Sequence, residues 1–147
     1  MPITRRALCS LLPGAFVLKA WAQQGTASAL PSATFPYDEL PVKKNANGSE
    51  TRAVFKGKLK TGEPVEVHAT VLPPGGMPHA AHHHVHSEMW LIREGETELT
   101  INGRAQRLGP GSIGFVESGD EHGIKNVGTT PARYFVVAIG PGADGGR

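Results

Sequence analysis

Five of the seven histidines in this 147-residue chain fall within eight positions: His79, His82, His83, His84 and His86, in the stretch PHAAHHHVHSE. His82 and His84 are two residues apart, so in extended backbone both side chains leave the same side of a sheet. Glu88 keeps that parity, and His122 follows on a later strand-length segment. Three imidazoles and one carboxylate form a donor set for a borderline divalent metal: Mn, Fe, Co, Ni, Cu or Zn. Burying that carboxylate in a small fold without a partner is costly; a cation removes the cost and requires the histidines to be neutral. Four ligands leave one or two coordination positions open for water, dioxygen or a chelating substrate. For proton transfer the sequence offers only Glu88, moving off the metal, and His86 at the mouth of the site.

The segments that carry these residues read as strands. From residue 52 onward, strand-length runs alternate with turn signals, at 52–59, 65–72, 88–93, 96–101, 104–108, 112–116, 121–127 and 132–139. Thr61-Gly62, Glu94-Gly95 and above all Asn102-Gly103 are hairpin signals. Val65, Val67, Ala69 and Val71 share one face of their strand, which leaves His68 on the other as an expected plain exposed histidine. By the same alternation Trp90 and Ile92 share the inward parity of Glu88, and Met89 and Leu91 face out. Phe115, Tyr134 and Phe135 take no assigned face, because both parities of their strands are apolar. With 19 Gly and 12 Pro and no helix-period run, the chain is all-β: one antiparallel barrel or sandwich.

The spacing is more specific than the strand pattern. Gly76 is followed after five residues by His82-His83-His84, then by VHS, Glu88, MWLIRE and Gly95. Further on, Gly111 is followed by SIGFV, Glu117-Ser118-Gly119, DE, His122, GIK and Asn126. This pair of motifs resembles those of the cupins, with one departure: Glu117 stands where that family usually has proline. The resemblance extends over about residues 52–140. It implies a small antiparallel jelly-roll β-barrel, metal ligands His82, His84, Glu88 and His122, and a homodimer. It also implies metal-dependent oxidoreductase chemistry of the dioxygenase type on a small chelating organic substrate. The alternatives are a non-catalytic module binding a small molecule or metal, and a metal-dependent isomerase or lyase.

Other residues receive plainer readings. His79 is a loop residue near the barrel mouth, His83 faces away from the site, and Asn126 is structural. Glu117, Asp120 and Glu121 form a solvated acidic loop. Lys43–Ser49 reads as loop by composition, with Asn47-Gly48-Ser49 a turn that also matches a glycosylation sequon. The apolar outer face at Met89 and Leu91 suits a dimer interface or a second sheet layer.

The N-terminus reads as an address. MPITRR is a basic head, a short apolar run follows, and Ala20-Trp21-Ala22 has the form of a signal-peptidase site. Arg5-Arg6 resembles a twin-arginine export signal, with general secretion as the alternative, so residues 1–22 are expected to be removed and the chain to be periplasmic or secreted. Residues 23–50 then form a flexible lead-in or edge segment, 51–140 the barrel and 141–147 a flexible tail. Removing Arg5, Arg6 and Lys19 from the 15 basic residues leaves 12 against 13 acidic ones, and also removes the single cysteine, Cys9. That balance argues against a nucleic-acid partner. The apolar run is too short to span a bilayer, so no stable membrane association is expected. One cysteine excludes a disulfide scaffold or an all-cysteine zinc site.

Overall fold

In the computed structural model, which describes residues 29–145, the chain is built almost entirely of antiparallel β-strands. The expected export signal at 1–22 lies outside the described residues. The strands are β1 (Lys43–Lys44), β2 (Glu50–Lys58), β3 (Pro64–Leu72), β4 (Ser87–Glu94), β5 (Thr97–Ile101), β6 (Arg104–Leu108), β7 (Ile113–Val116), β8 (His122–Asn126) and β9 (Ala132–Ile139). They form a six-stranded sheet in the order β1-β2-β3-β9-β4-β7 and a three-stranded sheet in the order β6-β5-β8. A buried cluster of Leu72, Trp90, Ile92, Leu99, Val116, Ile124, Tyr134 and Val136 draws on both sheets. Trp90 and Ile92 point inward, as their parity implies, and Tyr134 joins them.

The strongest turn signal behaves as its residues require. Ile101 pairs with Arg104, and the two residues between them, Asn102 and Gly103, have φ of 47° and 77°. Both central residues in the left-handed region define the turn that matches strand twist, and Asn-Gly is the pair that tolerates it.

Lys43-Lys44, read from composition as loop, instead forms a short strand against β2, with Lys43 opposite Thr51 and Lys44 opposite Glu50. No apolar pattern announces it. The hairpin is closed by hydrogen bonds from Asn45 N–H to the Ser49 carbonyl (2.9 Å) and from Gly48 N–H to the Asn45 carbonyl (3.0 Å). Asn47 Oδ1 accepts from both the Ser49 N–H (3.1 Å) and the Ser49 hydroxyl (2.7 Å), so Asn47-Gly48-Ser49 is a turn.

The alternation of β3 is real, but its polarity is the reverse of the usual one. Val65, Val67, Ala69 and Val71 share the outer face of the large sheet, while Glu66, His68, Thr70 and Leu72 face in. His68 and Thr70 lie in register with Val136 and Tyr134 of the core. The outer face is covered by the chain's own lead-in. Leu30 packs against Gly57, Phe35 against Phe55 with ring centroids 5.4 Å apart, and Tyr37 edge-on against Phe135 at 6.2 Å. The Arg52 and Arg93 guanidinium groups lie 4.7 and 4.8 Å from the centre of the Tyr37 ring. Each such contact contributes about 0.5–1 kcal/mol at a partly exposed site. His68 is therefore not a plain exposed histidine: it stands in the wall of the barrel interior.

Candidate metal centre

The ligand cluster forms where the loop before β4 is laced to β8. His82 N–H donates to the His122 carbonyl (3.0 Å), and His122 N–H donates to the His82 carbonyl (2.8 Å). This bridge brings the His82 and His122 rings to 4.7 Å. His84, two residues on, reaches the same point, and its ring centroid is also 4.7 Å from that of His122. One ligand atom from each of His82, His84 and His122 lies within 4.8 Å of the other two.

Hydrogen bonds set the orientation of two rings. His84 Nδ1 lies 2.7 Å from the His86 carbonyl, and His122 Nδ1 lies 2.9 Å from the Asp120 carbonyl. A carbonyl only accepts, so each Nδ1 carries the proton, and in the neutral ring Nε2 is left as a lone pair. Those two Nε2 atoms, and Nδ1 of His82, are buried without a hydrogen-bond partner. The Glu88 carboxylate faces them, with Oε1 at 3.4 Å from His84 Nε2 and Oε2 at 3.7 Å from His122 Nε2. Acceptors facing acceptors at that distance repel, unless a cation or shared proton lies between them. Ligand atoms about 2.1 Å from one ion stand about 3.0 Å apart at right angles and about 4.2 Å apart when opposed. The two carboxylate–imidazole separations fall in this range, so the residues fit a metal. Burial, and then the nearby imidazoles of His79, His122 and His84, hold the His82 imidazole below the ordinary histidine range, in the neutral form a ligand needs.

A second grouping, His84, His86 and Glu88, also has its donor atoms within 4.8 Å of one another. The four residues expected from the sequence are thus split between two sets that share His84. The set with His82 and His122 is the better cage, because its nitrogens are the orphaned ones. His86 is already engaged: it stacks on His84 at 3.6 Å with planes 13° apart, and its Nε2 is 3.4 Å from Glu88 Oε1. This places it as a support for the candidate ligands His84 and Glu88. His83 is exposed and turned away, and His79 is exposed at the rim, edge-on to His82 at 4.2 Å.

The acidic loop behaves differently from its composition. Glu117 is exposed, yet its Oε1 accepts from the Ser87 hydroxyl (2.8 Å) and from the Ser118 N–H (3.0 Å). Gly119 N–H donates to the His84 carbonyl (2.8 Å). Glu117 thus closes by hydrogen bonding the loop that proline shapes in the cupin motif. Asp120 supports His122 through its backbone carbonyl, while its carboxylate accepts from Asn102 Nδ2 (2.8 Å). Asn126 is fully buried, donating to the Leu72 and Thr130 carbonyls and accepting from Gly128 N–H, a structural role as expected.

Glu88, His122 and Trp90 open onto a cavity of ≈ 400 Å³, the size of a small-molecule site. Its other walls hold residues that sequence reasoning missed: Lys43, Asn45 and Asn47 of the β1–β2 hairpin, and His68 and Thr70 of β3. The hairpin carried only a turn signal. His68 was concealed by a parity argument that fixes which residues share a face, and not which face is inside.

Comparison with known proteins agrees with this geometry. Residues 68–138 match the family described as Cupin domain. The chain is 32% identical over 71 residues to a mannose-1-phosphate guanylyltransferase of Klebsiella pneumoniae, covering 48% of this chain and 15% of that protein. It is 32% identical over 68 residues to an oxalate-binding protein of Thermotoga maritima, covering 46% of this chain and 56% of that one. The chain therefore spans a small part of the first relative and about half of the second. Among solved structures, a predicted oxalate decarboxylase from Thermotoga maritima superposes with a TM-score of 0.62 at 22% identity, over 73% of this chain and 98% of that chain. An RmlC-like cupin from Shewanella frigidimarina gives 0.61 at 18% identity, over 74% and 91%. The match over residues 68–138 is to a cupin domain, the solved structures share the fold, and the histidines of that segment are positioned to bind a metal.

Replacing His122 by Ala removes one orphaned donor from the cluster. Its affinity for Mn, Ni or Zn, measured by titration against a coloured chelator, should fall more than about 100-fold, beyond the cost of losing an outer-shell support. An unchanged affinity would place the metal elsewhere.

Proposed function

We propose that this chain is an exported, metal-dependent cupin that acts as an oxidoreductase of the dioxygenase type on a small chelating organic acid or enol. His82, His84, Glu88 and His122 would hold one divalent transition metal. When bound, such an ion supplies Lewis-acid polarisation of a chelated ligand and an open position for dioxygen. The observation that carries this reading is the pair of orphaned Nε2 atoms facing a carboxylate at the end of the ≈ 400 Å³ cavity.

The chain's own residues do the rest. The carbonyls of His86 and Asp120 hold the imidazoles of His84 and His122 in the ligating tautomer. His86 steadies the carboxylate of Glu88. Trp90, edge-on to His122 at 5.4 Å and 3% exposed, keeps water from one flank of the cluster. Lys43, in the cavity wall, brings a cation to an anionic ligand.

A second reading is favoured by one observation: the relative from Thermotoga maritima is named an oxalate-binding protein, with no reaction in its name. Under it the chain captures a bidentate acid without altering it. The two readings separate in one experiment on protein recovered from the periplasmic fraction of the producing cell. The oxidoreductase predicts about one transition metal per chain by elemental analysis, and oxygen consumption with oxalate or a catechol. Metal-loaded protein that binds these ligands and returns them unchanged sinks the oxidoreductase in favour of the binder.

The reading includes a homodimer. Met89 lies opposite Phe115 and Leu91 opposite Ile113 on the outer face of β4 and β7. Leu91, Ile113 and Phe115 are 37%, 63% and 54% exposed, a contiguous apolar surface that the lead-in leaves uncovered. Phe115→Glu should convert a dimer to a monomer in sedimentation velocity. A wild-type chain that sediments as a monomer at micromolar concentration contradicts the dimer.

A further inference from the structure

A metal held by His82, His84, Glu88 and His122 would occupy the free nitrogens of those histidines, leaving none of the three to accept a proton from an incoming ligand. His68 is placed to provide one. In register it stands between Ala53 of β2 and Val136 of β9, with Trp90 of β4 next in the row. Its half-buried side chain lines the cavity that Glu88 and His122 also line. His68 Nδ1 is 3.1 Å from Glu66 Oε1. That hydrogen bond holds the Glu66 carboxyl below its ordinary range in spite of burial, so the acid is ionised and can only accept. Nδ1 therefore donates, and in the neutral ring Nε2 is left as a lone pair. A carboxylate fixing one nitrogen of an imidazole that lines a cavity is the arrangement of a general base.

The groups around this pair are few. Thr51 and Lys56 come from β2, Thr70 from β3 itself, and Tyr134 from β9, where burial pushes the tyrosine hydroxyl upward and keeps it protonated. His86 and Lys56 act on Glu66 through their charge, and His79, Lys43, Glu88 and His122 share the cavity. Among them, only the His68–Glu66 pair combines a cavity-lining imidazole outside the metal cluster with a carboxylate able to balance an imidazolium.

We propose that His68, oriented by Glu66, is the proton acceptor of the cavity, and that the site is thereby suited to chelators bearing an acidic hydroxyl, such as catechols and α-hydroxy acids. As such a ligand engaged the cluster, its O–H bond would break, an N–H bond would form at His68 Nε2, and the oxygen would keep the electron pair, available to a metal held by the cluster. The imidazolium is balanced by Glu66, and no oxidant is needed. This role rests on the metal-centre reading above. It makes a distinction that reading does not: oxalate, already ionised at neutral pH, brings no proton and needs no acceptor.

The test uses the metal-loaded full chain, with nitrocatechol, whose absorption reports its ionisation, and oxalate as probes. His68→Gln should keep its metal, yet lose at least about tenfold more affinity for nitrocatechol than for oxalate at neutral pH, the scale of one charge-assisted contact. Glu66→Gln should show the same selectivity at smaller size, with His68 in place but unanchored. Calorimetry in two buffers of different ionisation enthalpy should show fewer protons released to solvent by wild type than by His68→Gln. If His68→Gln retains metal and loses equal affinity for both probes, or for neither, His68 is not the acceptor. A wild-type chain that takes up no metal defeats the metal-centre reading and this role with it.

Discussion

Two imidazoles, each committing its Nδ1 proton to a main-chain carbonyl, are the constraint on which the site depends. His84 is fixed on the His86 carbonyl and His122 on that of Asp120, and what remains of each ring is a buried lone pair. A buried acceptor without a partner costs about 1–3 kcal/mol, so two of them facing a carboxylate are stable only with positive charge between them. The loops are organised to hold those two carbonyls still. Asn102 Nδ2 donates to Asp120 and its Oδ1 accepts from Glu121 N–H (3.1 Å), so the Asn-Gly turn between β5 and β6 anchors the approach to His122. The Ser118 hydroxyl donates to the Val85 carbonyl (2.9 Å), and Gly119 N–H donates to that of His84. These ties fasten the other loop. A residue recognised for its turn thus also supports a ligand.

The polar interior of β3 follows from the same demand. A small barrel that was apolar throughout would leave no room for the groups that meet a hydrophilic ligand. Here Glu66, His68 and Thr70 give one interior wall its polarity, and the valines of the same strand are displaced to the outside. An outer apolar face needs cover, and residues 30–40 supply it with Leu30, Phe35 and Tyr37. The lead-in and the cavity are therefore two consequences of one inverted strand. The cover stops short of β4 and β7, where Leu91, Ile113 and Phe115 stay exposed.

How much of this is legible in the sequence depends on the range of the interaction. The His82–His84–Glu88 parity and the Asn102-Gly103 turn are set within a few residues, and the sequence carries them openly. The strands from β2 to β9 are legible for the same reason, since alternation and turn residues are local. His68 is not, because alternation is symmetric: it sorts residues into two faces, and only distant residues at 30–40 decide which face is outside. Lys43 and Lys44 carry no apolar signal, and their strand exists through the hydrogen bonds of Asn45, Asn47 and Ser49. Glu117 looked like a mere departure from a proline motif, because its partner Ser87 is thirty residues away.

Imidazoles oriented by main-chain carbonyls leave free nitrogens that would hold a metal. X-ray absorption at the edge of the bound metal, on purified chain loaded with Mn, Ni or Zn, reads that first shell. It should show two or three imidazole nitrogens about 2.0–2.2 Å from the ion, with the outer-ring scattering that identifies histidine, and oxygen completing the shell. A first shell of oxygen alone, without imidazole scattering, would contradict that role for the imidazoles.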